Sequence, residues 1–154
     1  MSGPGILVLG LGNDILTDDA VGLLVVRQLG EEFADDPRVE VRETQEMGLA
    51  LLDYLTGYRE AILVDAIQTG KASPGTLHEL DSDGLRLLAG GTPHFLGVGE
   101  TLALGRQLGL AMPERVRIFA IEVTDAQTLG TRLSPAIQQA LPAILDRIRA
   151  AIRE

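Results

Sequence analysis

The sequence predicts an α/β fold, a three-layer sandwich in which a mostly parallel, twisted five-stranded sheet with one antiparallel edge strand carries helices on both faces. Three observations predict it. Short apolar runs (Gly5–Gly10, Ala61–Ala66, Val116–Ile121) alternate with stretches whose apolar residues recur at helical spacing. The first 66 residues read strand, helix, strand, helix, strand, the unit of a parallel sheet with right-handed crossovers. The chain has 154 residues, 45% of them hydrophobic, which suits one packed core, so a single domain over 1–154 is expected.

The elements follow in order. Gly5–Gly10 (GILVLG) reads as a buried strand closed by a tight turn at Gly10-Leu11-Gly12-Asn13. From Asp18 the pattern becomes helical through Val21, Leu24, Val25, Gln28 and Leu29, with Asp18 or Asp19 available as N-cap. That helix is expected to end near Phe33, before an acidic loop of Glu31, Glu32, Asp35, Asp36 and Pro37. Val39–Glu43 can form the second strand, Gly48–Leu55 a short helix, and Ala61–Ala66 a third strand that stays apolar until Asp65.

Too few residues separate Ala66 from Thr76 for a parallel crossover, and Ser73-Pro74-Gly75 supplies turn chemistry. Thr76–Leu80 is therefore expected to pair antiparallel, at an edge. Asp81–Leu88 can form a helical turn, Gly90-Gly91-Thr92-Pro93 a loop, Gly97–Leu108 a Gly-interrupted helix, and Val116–Ile121 the fifth strand. The last helix opens on Ser134-Pro135, an N-cap followed by Pro at the first helical position. Ile137, Leu141, Ile144, Leu145, Ile148 and Ile152 share one of its faces, and Pro142 either kinks it or marks a late start.

Composition excludes several functions. A net charge of −9 and only 3% aromatic residues argue against nucleic acid, whose backbone repels acidic surfaces and whose bases need stacking partners. No cysteine is present, which removes disulfides, thiolate nucleophiles and Cys-ligated metal sites. No Lys or Arg precedes Arg27, so the charged leader of a secretory signal is missing, and no apolar run reaches membrane-span length. A cytoplasmic protein with no membrane contact is expected.

In a doubly wound sheet, ligands bind beyond the carboxyl ends of the strands, where successive crossovers leave in opposite directions. If the strand order begins 2-1-3, that crevice lies between the first and third strands. Asn13, Asp18 and Asp19 follow the first strand and Asp65 ends the third, so polar groups from two segments converge there. A carboxylate ending an apolar run is costly to bury without a partner; Asp65 either caps neighbouring amides or serves the site. Helix capping needs only one of Asp18 and Asp19, which leaves the other available.

Of the two histidines, His78 is read as a surface side chain of the edge strand, whereas His94 follows a Gly-Gly loop and a Pro that restrains its approach. Asp19, Asp65 and His94 make an O,O,N set that can hold a borderline divalent ion such as Ni²⁺ or Zn²⁺ with positions left open. Other motifs are excluded by spelling. Ile15 stands where a dinucleotide fingerprint needs its third Gly, and no phosphate-binding GxxxxGK[ST] loop, GxSxG elbow or HExxH is present. Lys71 is the only lysine.

The stretch Gly10-Leu11-Gly12-Asn13-Asp14-Ile15-Leu16-Thr17-Asp18-Asp19-Ala20-Val21-Gly22 resembles the GxGNxLxxD(D/E)xxG opening of the hydrogenase maturation proteases. Ile62–Ala66 is similar to that family's second site and Thr92–Gly97 to its third, in the same order along almost the whole chain. The resemblance implies an endopeptidase that removes the C-terminal extension of a [NiFe]-hydrogenase large-subunit precursor after nickel insertion. It implies metal-contacting roles for Asp19, Asp65 and His94, with catalytic roles for the two aspartates. Nickel would arrive with the precursor, no organic cofactor is implied, and a monomer is expected.

Two departures stand out. Asp19 occupies a position where many relatives carry Glu, so its carboxylate reaches one methylene less far. After the second strand, where the family often has a Gly/Thr-rich stretch, this chain reads Glu43-Thr44-Gln45-Glu46-Met47-Gly48. Glu43, Thr44, Gln45 and Glu46 are therefore expected to border the crevice and recognise substrate. Two other readings compete: a flavodoxin-like module holding a phosphate at the first helix, which the two aspartates there would repel, and a self-sufficient metallohydrolase.

Overall fold

In a computed structural model of the chain, residues 5–12, 20–46, 48–81, 98–124 and 133–154 are described. The chain runs β1 (Ile6–Leu11), α1 (Val21–Glu32), β2 (Val39–Thr44), a 3-10 turn (Gly48–Ala50), α2 (Leu51–Leu55), β3 (Glu60–Ile67), β4 (Leu77–Asp81), α3 (Val98–Gln107), β5 (Arg115–Glu122) and α4 (Pro135–Arg153). The strands form one sheet in the order β2-β1-β3-β5-β4. Among the described residues only β4, at the edge, runs antiparallel to its neighbour; β2, β1, β3 and β5 are parallel. The expected order 2-1-3 and the antiparallel edge strand are both observed.

Alternation along the strands divides the core in two. Ile6, Val8, Ile62, Val64, Phe119 and Ile121 face α1 and α4. Leu7, Leu9, Leu63, Ile67, Ile118 and Ala120 face α2 and α3. Both faces are thus covered by helices, as unbroken apolar strands require. Packing holds α1 in place more than capping does. Val21, Leu23, Val25, Val26 and Leu29 are buried, each contributing about 1.5–3 kcal/mol, whereas a side-chain cap is worth about 1 kcal/mol. Ala20 precedes α1 with helical φ and ψ and no side-chain cap bond; Asp18 and Asp19 lie outside the described residues.

Several boundaries move. Glu31 and Glu32 belong to the last turn of α1 rather than to a loop. The second helical segment begins as a 3-10 turn, and Asp81 ends β4 instead of opening a helical turn. Residues 82–97, and with them the rest of that turn, the Gly-Gly loop and Gly97, lie outside the described residues. α4 runs unbroken from Pro135 with Pro142 inside it, so Pro142 is not a late start. Among the described residues no helix is long and apolar enough to cross a membrane.

Candidate functional site

Parallel pairing brings β2, β1 and β3 to one level at their carboxyl ends. Gly10 lies opposite Glu43 on one side and Val64 on the other, and Leu11 lies opposite Thr44. β2 and β3 flank β1 on opposite sides, so β1 and β3 border the switch point at which such sheets open a crevice.

Asp65 follows Val64 at this level and is fully buried. It alternates with Leu63 and Ile67, which places it on the face covered by α2 and α3. Its Oδ1 accepts a hydrogen bond from the Ala66 amide at 2.7 Å, within the strand.

Two glycines set α1 against these strand ends. A Cβ on Gly22 would stand 2.5 Å from the Val64 carbonyl oxygen, 2.6 Å from that of Leu11 and 3.0 Å from the Asp65 Cα. A Cβ on Gly10 would meet the Val26 side chain and the Gly22 carbonyl oxygen, the latter at 2.7 Å. Only glycine allows this approach, and it brings the first turn of α1 against the β3 backbone at Val64 and Asp65.

Asp19, Asp18, Asn13 and His94 lie outside the described residues. In the chain, Asp19 immediately precedes buried Ala20, and His94 is four residues before Val98, which is buried in the α2/α3 cluster. Among the described residues no three His, Asp or Glu side chains gather in a metal-holding group; two of the three expected ligands are not among them.

The segment expected to recognise substrate lies at the same end of the sheet. Glu43 makes a two-pronged pair with Arg27 of α1, at 2.8 and 2.7 Å. These hydrogen bonds from Arg27 hold its carboxyl below the usual carboxylate value. Thr44 is buried: its carbonyl accepts from the Gly12 amide and its hydroxyl from the Glu46 amide. It shapes the turn, while Glu43, Gln45 and Glu46 are exposed.

A second buried carboxylate was not foreseen. Glu122, at the carboxyl end of β5, is 1% exposed. It accepts from the Thr69 amide (2.9 Å), the Thr69 hydroxyl (2.6 Å) and the Gly70 amide (3.3 Å), and it pairs with His78 Nε2 at 3.0 Å. Burial pushes its carboxyl up, but the bonds from the Thr69 hydroxyl, His78 and the two amides outweigh this and leave it below its ordinary value. His78 is consequently not the surface side chain its edge-strand position suggested. It is half-buried because a carboxylate on the neighbouring strand gives it a partner.

The sequence profile of the hydrogenase maturation proteases matches residues 23–151. The Escherichia coli K12 hydrogenase 2 maturation protease is 29% identical over 97% of this chain and 91% of its own. The hydrogenase expression/formation protein HupD of Rhizobium leguminosarum bv. viciae is 26% identical, covering 97% of this chain and 75% of its own. The solved structure of the E. coli hydrogenase maturating endopeptidase HybD superposes with a TM-score of 0.80 at 28% identity, over 97% of this chain and 92% of that one. With the switch-point carboxylate and the glycine-seated helix, the profile match places the chain: it is a peptidase and belongs to the hydrogenase maturation protease family.

Proposed function

We propose that this protein removes the C-terminal extension of a [NiFe]-hydrogenase large-subunit precursor and recognises the nickel already bound in that precursor. The observation that carries the reading is Asp65: a wholly buried carboxylate near the carboxyl end of β3, whose backbone meets the first turn of α1 at Gly22. Its place beside the switch point between β1 and β3 is where ligands of such sheets bind.

In this reading Asp19, Asp65 and His94 close on the nickel of the precursor and set the scissile peptide beside it. Two carboxylates and one imidazole match a borderline divalent ion. Water then adds across the peptide bond. A carboxylate of the Asp19–Asp65 pair takes its proton, the oxygen bonds to the carbonyl carbon, the carbon–nitrogen bond breaks, and the proton passes to the leaving amine. Glu43, Gln45 and Glu46 touch the precursor, on the turn that Thr44 holds. The protein works as a monomer in the cytoplasm.

Because the metal belongs to the substrate, cleavage doubles as a check that nickel has been loaded. The test mixes the protein with nickel-loaded precursor and with a nickel-free control. Mass spectrometry is expected to find a C-terminal loss in the loaded sample alone; equal cutting of both overturns nickel recognition. Stoichiometric metal retained by the isolated protein would instead favour a self-sufficient metallohydrolase.

A further inference from the structure

We propose that Lys71 is a specificity-determining residue that binds a carboxylate of the precursor's C-terminal extension; this rests on the precursor-processing reading above. β3 ends at Ile67. The turn that follows it, from Gln68 to Thr76, leaves from the same end of the sheet as the crevice, on the β5 side of β3. Lys71 lies on this turn and is exposed. It is the only lysine in a chain of net charge −9, and its ammonium forms no ion pair with the described residues.

Buried Glu122 holds the turn at both ends. Its carboxylate accepts from the Thr69 amide, the Thr69 hydroxyl and the Gly70 amide, and the Thr69 hydroxyl oxygen accepts from the Lys71 amide at 3.0 Å. At the far end the Gly75 amide donates to the Glu122 carbonyl and the Glu122 amide to the Thr76 carbonyl, both at 2.8 Å. Gly70 has a φ of 72°, in the left-handed region that favours glycine, so the chain bends sharply just before Lys71. The root of the lysine is thus fixed, and binding has only the side chain's own rotamers to order.

The opposite flank of the crevice carries the other sign. Glu43, Gln45 and Glu46 are exposed on the β2 side, and Arg27 is already committed to Glu43. Asp65 adds a buried carboxylate between the two flanks. A peptide carboxylate entering here is repelled by the β2 flank and by Asp65 and is attracted to the Lys71 ammonium. Every C-terminal extension ends in one carboxylate and adds another for each Asp or Glu it carries. Lys71 therefore orients the precursor: the anionic part of the extension lies against the β3–β4 turn, and the rest of the precursor approaches from the β2 flank.

The test is steady-state cleavage of nickel-loaded precursor by the wild-type protein and by Lys71→Arg, Lys71→Ala and Lys71→Glu, at low and high salt. Alanine is expected to raise KM about fourfold and glutamate about tenfold, with kcat within about twofold, the pattern of a contact made equally in ground and transition states. Arginine keeps the charge and should hold KM within about twofold of wild type. High salt should close the gap between wild type and alanine, since the pair is exposed. The source of the carboxylate is found with a precursor whose chain end is amidated and with precursors whose extension Asp or Glu residues are changed singly to Lys. One of these should erase the difference between wild type and Lys71→Ala: the amide if the chain end is bound, a lysine change if a side chain is, and that lysine-bearing precursor should be cut better by Lys71→Glu than by wild type. A KM for Lys71→Glu within about twofold of wild type, or a difference that no precursor change erases, overturns the role of Lys71 while wild-type cleavage keeps the functional reading. Failure of the wild-type protein to cut overturns both.

Discussion

Gly22 lies against Asp65 so closely that a methyl group on it would sit 3.0 Å from the Asp65 Cα and 2.5 Å from the preceding carbonyl oxygen. The obstacle is backbone, which cannot turn aside as a side chain can. Gly22→Ala must therefore lift α1 from the strand ends or shift the end of β3. Overpacking of this kind costs about 1–3 kcal/mol. Processing should fall further than stability, because the displaced strand end carries the carboxylate. Urea unfolding measured beside cleavage rates checks this; normal cleavage in a destabilised variant would show that the seat of α1 does not set the site.

Asp65→Asn keeps the shape of a fully buried side chain, and its Oδ1 can still accept from the Ala66 amide. Processing should be abolished, with thermal unfolding within a few degrees of wild type. Alanine is a poorer probe here, since it opens a cavity on the α2/α3 face. His94→Ala should likewise stop processing. Precursor cut normally by both variants would remove these residues from the site.

Much of this was legible because apolar runs and turn residues report on burial and connectivity. The apolar runs place β1, β3 and β5 to within one residue at each end, and the shortness of the segment before β4 puts that strand at an antiparallel edge. Asp65 was visible as a charge ending an apolar strand. The same argument applies to Glu122, but a strand taken to stop at Ile121 leaves Glu122 in the loop beyond, where a carboxylate needs no explanation. With Glu122 overlooked, His78 had no partner and read as surface. Their pairing is a long-range product of the β4–β5 register, which one sequence does not spell. Thr44 read as a substrate contact because its position borders the crevice; its burial depends on the bend of the turn after β2.

Glu122 should make stability depend on acid. Its folded value lies below the ordinary 4.5, so the native state favours the ionised form. The stabilisation is complete above about pH 4.5 and is lost as pH falls through the lower folded value. Glu122→Gln removes that titration and leaves donors from Thr69, Gly70 and His78 facing an amide. A loss of about 1–3 kcal/mol at pH 7 is expected, shrinking toward pH 3. Denaturant midpoints across this range check it; a gap that stays constant with pH would mean that the carboxylate contributes no ionised-state stability.

Pro142 offers the opposite sign. It sits exposed inside the 19-residue α4 and has no amide hydrogen for the Gln138 carbonyl four residues earlier, while its ring crowds that carbonyl. Proline is about 3 kcal/mol less favourable than alanine in a helix interior, and its stiffening of the unfolded chain returns up to about 1 kcal/mol. Pro142→Ala should therefore stabilise the protein by about 2 kcal/mol, seen as a raised urea midpoint with an unchanged slope. Processing should be unaffected, because the buried residues of α4 join the α1 face of the sheet and Asp65 belongs to the other. A midpoint that stays level or falls would mean that Pro142 is itself needed to lay Ile137 and Ile144 on the sheet together.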